Sequence, residues 1–103
     1  MAYTLITNDI KKLLRYNHKN TNFATESIGK EPVVVRFFNP KGAGEWWAYS
    51  MDEHGYMFGI ADIFFPEYGD FHIDELKQNG IERDRYYTGP DTFEEVMIQQ
   101  KGR

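Results

Sequence analysis

Residues 32–84 read PVVVRFFNPKGAGEWWAYSMDEHGYMFGIADIFFPEYGDFHIDELKQNGIERD. β-Branched and aromatic residues crowd residues 33–38, 45–51 and 56–62, which predicts three strands. The connections are short. Residues 39–44 carry Pro40, Gly42 and Gly44, and residues 52–55 end in Gly55. Loops of that length join antiparallel neighbours, so the three strands form a meander. Alternation sorts their side chains by face. In the first strand Val33, Val35 and Phe37 share one face, with Val34, Arg36 and Phe38 on the other. In the second, Trp47, Tyr49 and Met51 oppose Trp46, Ala48 and Ser50. In the third, Tyr56, Phe58 and Ile60 oppose Met57, Gly59 and Ala61. Both faces hold apolar groups, so both need a cover of helix or loop.

Residues 63–69 (IFFPEYG) read as a loop, because Pro66 interrupts a ladder and Gly69 permits a sharp turn. A fourth strand is expected over residues 70–73. A short helix capped by Asp74 comes next and stops at Gly80. Residues 81–87 read as extended. Towards the N-terminus, Ile6, Ile10, Leu13 and Leu14 recur at helical spacing and predict a helix over residues 7–17, capped by Thr7 or Asn8. Residues 18–31 are a polar loop with Phe23 and Ile28 as apolar pins. Thr92 and Glu95 carry the spacing of a capping box, which predicts a last helix over residues 92–100 with Phe93, Val96 and Met97 inward. The expected fold is α+β: an antiparallel three- to four-stranded meander sheet packed with an N-terminal, a short middle and a C-terminal helix. A chain of 103 residues holds one domain. Residues 1–31 form its helix and loop lead-in, 32–87 its sheet core and 88–103 its last helix and tail.

The chain has no cysteine, which excludes disulfide scaffolds, thiolate metal sites and cysteine nucleophiles. No apolar run has the length of a signal peptide or a membrane span, so a cytoplasmic protein without a membrane partner is expected. The net charge of −4 is unevenly placed. Residues 1–31 balance at +2 and residues 52–95 at −9. A basic nucleic-acid footprint is absent, so direct nucleic-acid binding is not expected. The acidic stretch instead predicts a protein partner with a basic surface.

Three constellations are competent to carry function. Asp62, Glu67, Asp70 and His72 supply oxygen and nitrogen atoms near a proline-marked loop, the donor types that hold a divalent cation or act as acid and base. They match no established metal spacing, and apart from such a cation no cofactor is called for. The run Glu82, Arg83, Asp84 alternates in sign, and Arg83 would reach Glu67 or Asp62 and fix the loop. Trp46 and Trp47 are adjacent and so point to opposite faces; one belongs to the core and the other is an exposed anchor for a partner. Tyr68, with Tyr86 and Tyr87, extends that surface. His18, His54 and His72 lie far apart and beside no nucleophile.

The order of RFFNP, WWAYSMDE, FGIAD, FPEYG, DEL and GIERD resembles DUF2958, a family of small bacterial proteins of unknown function often carried on plasmids and other mobile elements. The resemblance rests on residues 58–62, 65–69, 74–76 and 81–84 and spans residues 32–87. Ala61 stands where the family pattern has cysteine, the loop between Asp62 and Pro66 is shorter, and Asp70 and His72 are more polar than usual. The resemblance implies a fold unit and a mobile-element context, and no reaction. The expected function is a small acidic protein-binding module of a mobile element, acting on a host nucleic-acid-binding or defence protein. The alternative is a small metal-dependent hydrolase or nucleotide-processing enzyme built on Asp62, Glu67, Asp70 and His72. A third reading is an accessory domain that self-associates through a sheet edge.

Overall fold

A computed structural model describes residues 4–21 and 28–103; Phe23 lies outside these residues. The elements run α1 (Asn8–Asn20), a 3₁₀ turn (Ile28–Lys30), β1 (Val35–Phe38), β2 (Glu45–Met51), β3 (Tyr56–Asp62), β4 (Pro66–His72), α2 (Ile73–Gln78), β5 (Glu82–Arg83) and α3 (Phe93–Lys101). Every strand pair is antiparallel, in the order β4-β3-β2-β1-β5. The fold is α+β, with five strands among the described residues where three to four were expected. The additional strand is β5, two residues that add to the free edge of β1.

β4 starts earlier than the sequence suggests. Residues 66–69 belong to the strand, paired from Asp62 with Pro66 to Tyr56 with His72. Proline is tolerated as the first residue of an outer strand, because its missing N–H can lie on the side that has no neighbour. The true connection is residues 63–65.

Alternation holds along β3 but fails in β2, whose register against β3 shifts between Ala48 and Ser50. The extra residue is Tyr49, and a bulge of this kind moves the later residues of the strand to the other face. Met51 therefore pairs with Met57 and joins the cluster of Trp46 and Ala48, not that of Trp47. Gly59 lies beside this distortion. A Cβ there would fall 1.8 Å from the Trp47 carbonyl oxygen. Only glycine fits so close a backbone approach.

Each face has its own core. Leu5, Ile6 and Leu14 from the N-terminal region and Leu76 from α2 pack with Val35, Phe37, Trp46, Met57 and Phe71. On the opposite face Phe93 and Val96 of α3 pack with Trp47, Tyr49 and Ile60. With both faces covered, Trp46 and Trp47 are only 8% and 2% exposed, so neither is the surface anchor expected of one of them.

The caps explain the helix limits. Thr7 Oγ1 accepts from Ile10 N at 3.2 Å and starts α1. The inward stripe of α1 is Ile6, Ile10 and Leu14; Leu13 faces solvent. α2 is capped by His72, whose Nδ1 accepts from Asp74 N at 3.0 Å, rather than by Asp74. The predicted capping box is present at α3, with Thr92 N donating to Glu95 Oε1 at 3.1 Å. β1 is shorter than β2, so the last residues of β2 have no strand on that side. α1 fills the gap. Asn17 Nδ2 donates to the Tyr49 carbonyl at 2.8 Å and Arg15 to the Met51 carbonyl at 3.3 Å. Among the described residues no helix is long and apolar enough to cross a membrane.

Candidate functional site

The β3–β4 hairpin carries the most conspicuous surface of the molecule. Its connection consists of Ile63, Phe64 and Phe65, exposed by 49%, 93% and 63%. Three consecutive apolar side chains in water form a patch that a monomeric surface normally avoids, and such patches mark contact sites.

The base of this hairpin is tied down. Asp62 Oδ2 accepts from Gln100 Nε2 at 2.8 Å, and the same amide donates to Glu45 Oε1 at 3.1 Å. Gln100 is a buried residue in the last turn of α3, so it links the hairpin to the helix. Glu45 Oε1 also accepts from Arg103 at 2.6 Å. Its other oxygen accepts from Arg36 Nη2 at 2.6 Å, and Arg36 Nη1 donates to Asp84 at 3.0 Å. The Arg36 guanidinium lies over the rings of Phe38 and Trp47. Partial burial pushes the Glu45 carboxyl up, but the Arg36 and Arg103 guanidiniums outweigh it and hold the group below the usual carboxylate range. A groove of about 700 Å³ separates this ionic floor from the wall made by Phe64 and Phe65.

Charge is arranged differently along β4. No lysine or arginine occurs between Lys41 and Lys77, so β2, β3 and β4 carry no cation other than histidine. The arginines that serve Glu45 come from β1 and from the end of the chain. Glu67, Asp70 and Glu75 are exposed and make no ion pair among the described residues. The Tyr68 hydroxyl pKa is raised by burial and further by the charge of Glu94, which places another carboxylate near this strand. At the α2 end, Asp52 and Asp74 line a cleft together with Lys11 and Arg15 of α1, so negative charge is shared there. Residues 67–70 lie outside that cleft.

The other expected sites do not assemble. In β4, Glu67 points to one face while Asp70 and His72 point to the other. Asp62 sits opposite Pro66 and Asp70 opposite Phe58, which is four residues or roughly 13 Å along the strand. His72 uses both ring nitrogens: Nε2 donates to the His54 carbonyl at 2.7 Å while Nδ1 caps α2. Among the described residues no three His, Cys, Asp or Glu side chains gather as a metal site requires. Arg83 does not brace the Pro66 region. It sits in β5, at the opposite edge of the sheet from β4, and donates to the Thr4 and Leu5 carbonyls at 3.0 and 2.7 Å. Asp84 is held by Arg36, and Glu82 is exposed beside Phe38 in the β1–β5 pair.

Ile63, Phe64, Phe65, Glu45, Gln100 and Arg103 did not stand out as site residues in the sequence, nor did Arg36. The first three were legible as an apolar run between two strand signals. Nothing local marked Gln100.

The model of the family described as protein of unknown function (DUF2958) matches residues 5–97. The chain belongs to the DUF2958 family. The match extends past the motif-bearing residues 32–87, so α1 and the first part of α3, with the buried Phe93 and Val96, are part of the DUF2958 unit, while Gln100 lies beyond the matched residues. The FPEYG motif of this DUF2958 chain contains Phe65 of the tip and the first half of β4. No curated protein and no solved structure matches it.

Proposed function

We infer that this chain is a protein-binding module whose hairpin tip enters a partner and whose acidic β4 strand selects a partner with a basic surface. The observation that carries this reading is the exposed Phe64–Phe65 pair on a hairpin whose base is fixed by Asp62 and Gln100. A preformed loop loses little conformational freedom on binding, so the burial of its rings is retained as affinity. Covering both rings is worth roughly 3 kcal/mol, about a hundredfold in Kd. The carboxylates of Glu67, next to the tip, and Asp70, farther along β4, have no ion-pair partners among the described residues and favour a cationic surface. A nucleic-acid-binding or defence protein of the host has such a surface, and a module borne on a mobile element gains by occupying it.

The test is affinity capture from host cells with the wild type and with the Phe64→Ser, Phe65→Ser double variant. The expected result is a retained basic protein that is lost from the double variant and eluted by moderate salt. Identical retention by both chains would remove the reading.

A further inference from the structure

We propose that β4 takes up an extended basic segment of the partner as a sixth strand of the sheet, a mode that rests on the protein-binding reading. β4 is an outer strand of seven residues with β3 as its only strand neighbour among the described residues. Its backbone orientation is set by its ends. Ile73 N donates to the Gly55 carbonyl at 3.0 Å, so Ile73 faces β3. Backbone groups in an antiparallel strand alternate sides. Phe71, Gly69 and Glu67 therefore face β3, and Pro66, Tyr68 and Asp70 face outward. Pro66 thus has its missing N–H where no ladder bond is lost. The outward N–H and C=O groups of Tyr68 and Asp70 have no hydrogen-bond partner among the described residues. An edge of this kind is a template for another strand.

Charge specifies the occupant. Glu67 projects from one face of β4 and Asp70 from the other, and no lysine or arginine of β2, β3 or β4 offsets them. A second copy pairing β4 with β4 would bring like charges together, which opposes self-association. A strand with lysine or arginine side chains meets a carboxylate on each face. Space is available as well: a Cβ on Gly69 would meet nothing within 4 Å, so the sheet face over mid-β4 is open. Residues 63–65 lie at the end of the same edge, so the strand and the apolar tip can be engaged by one partner.

The experiment measures amide hydrogen exchange of the full chain with a synthetic peptide of two Lys-Lys-Val-Val repeats, which presents lysine on both faces of a strand. A peptide of the same sequence, N-methylated at alternate residues, serves as the comparison. The expected result is at least tenfold slower exchange of the Tyr68 and Asp70 amides, absent with the N-methylated peptide. The Glu67→Lys, Asp70→Lys variant should keep its unfolding midpoint and lose at least tenfold in peptide affinity. Three outcomes would overturn the proposal: no protection, equal binding of the N-methylated peptide, or protection of the same amides through dimerisation without peptide. Loss of a captured partner from the Phe64→Ser, Phe65→Ser variant, with Tyr68 and Asp70 amides unprotected in the wild-type complex, would retain the binding module and discard strand addition.

Discussion

Gly59 and Gly69 face each other across the β3–β4 ladder, yet their surroundings are opposites. Gly59 has no room for a methyl group, because the β2 backbone lies where it would go. Gly69 has open space. One strand further out, the sheet passes from a crowded interior, where a strand has neighbours on both sides, to an edge whose outward backbone groups at Tyr68 and Asp70 and whose carboxylates at Glu67 and Asp70 have no partner among the described residues. The contrast extends to charge. Glu45 on β2 is served by two arginines and a glutamine, whereas Glu67 on β4 has no ion-pair partner among the described residues. On the proposed binding mode, a chain that neutralises Glu45 so fully and leaves Glu67 without an ion pair among the described residues divides folding and contact between separate strands.

The largest effect that can test this division is Gly59→Ala. The added methyl collides with main chain that cannot step aside, and a loss on the order of 4 kcal/mol in denaturant unfolding is expected. Tolerance at Gly59 would dissolve the contrast.

Glu45→Gln comes next, at about 1–2 kcal/mol at neutral pH, since charge-assisted bonds to Arg36 and Arg103 are weakened. Because the folded carboxyl sits below its ordinary value of 4.5, its stabilisation is complete above that pH and fades as the pH falls through the lower folded value. The gap between Glu45→Gln and the wild type should therefore close on acidification, as read from unfolding midpoints over a pH series. A constant gap would deny the ionic role.

The Phe64→Ser, Phe65→Ser variant should change stability by less than about 0.5 kcal/mol, because the rings bury little in the free chain. A large loss would show the tip to be core. Gly69→Ala should be smallest of all, within about 0.5 kcal/mol of neutral, with any gain arising from the stiffer unfolded chain. Its thermal midpoint compared with that of Gly59→Ala sharpens the contrast to a single methyl group on either side of one ladder.

The limits of β2 and β3 and the capping box of α3 were readable because each depends on neighbours in sequence. Strand pattern and turn glycines act locally, as does the Thr92–Glu95 spacing. The β2 bulge was not readable. Nothing in EWWAYSM distinguishes an even strand from one with Tyr49 squeezed out, and that single extra residue reversed the placement of Met51. Pro66 misled for a related reason: it ends a ladder in the middle of a sheet but not on the free side of an outer strand, and sequence does not say which strand is outermost. Arg83 and the one tryptophan expected at the surface were misplaced because strand order and helix cover are long-range properties. For the site, the proline-marked connection and Glu67 were visible in FPEYG, though as a loop and not as the start of β4. Its apolar tip was passed over once residues 63–69 were treated as one loop, and its brace depends on Gln100, 38 positions from its partner Asp62.

α1 stands in for strand length that β1 does not supply, with Asn17 and Arg15 occupying the carbonyls of Tyr49 and Met51. If that helix detached, the molecule would acquire a raw margin at its centre in addition to the one along β4. Unsatisfied strand carbonyls of that kind invite pairing with another chain, so α1 also shields the sheet from association.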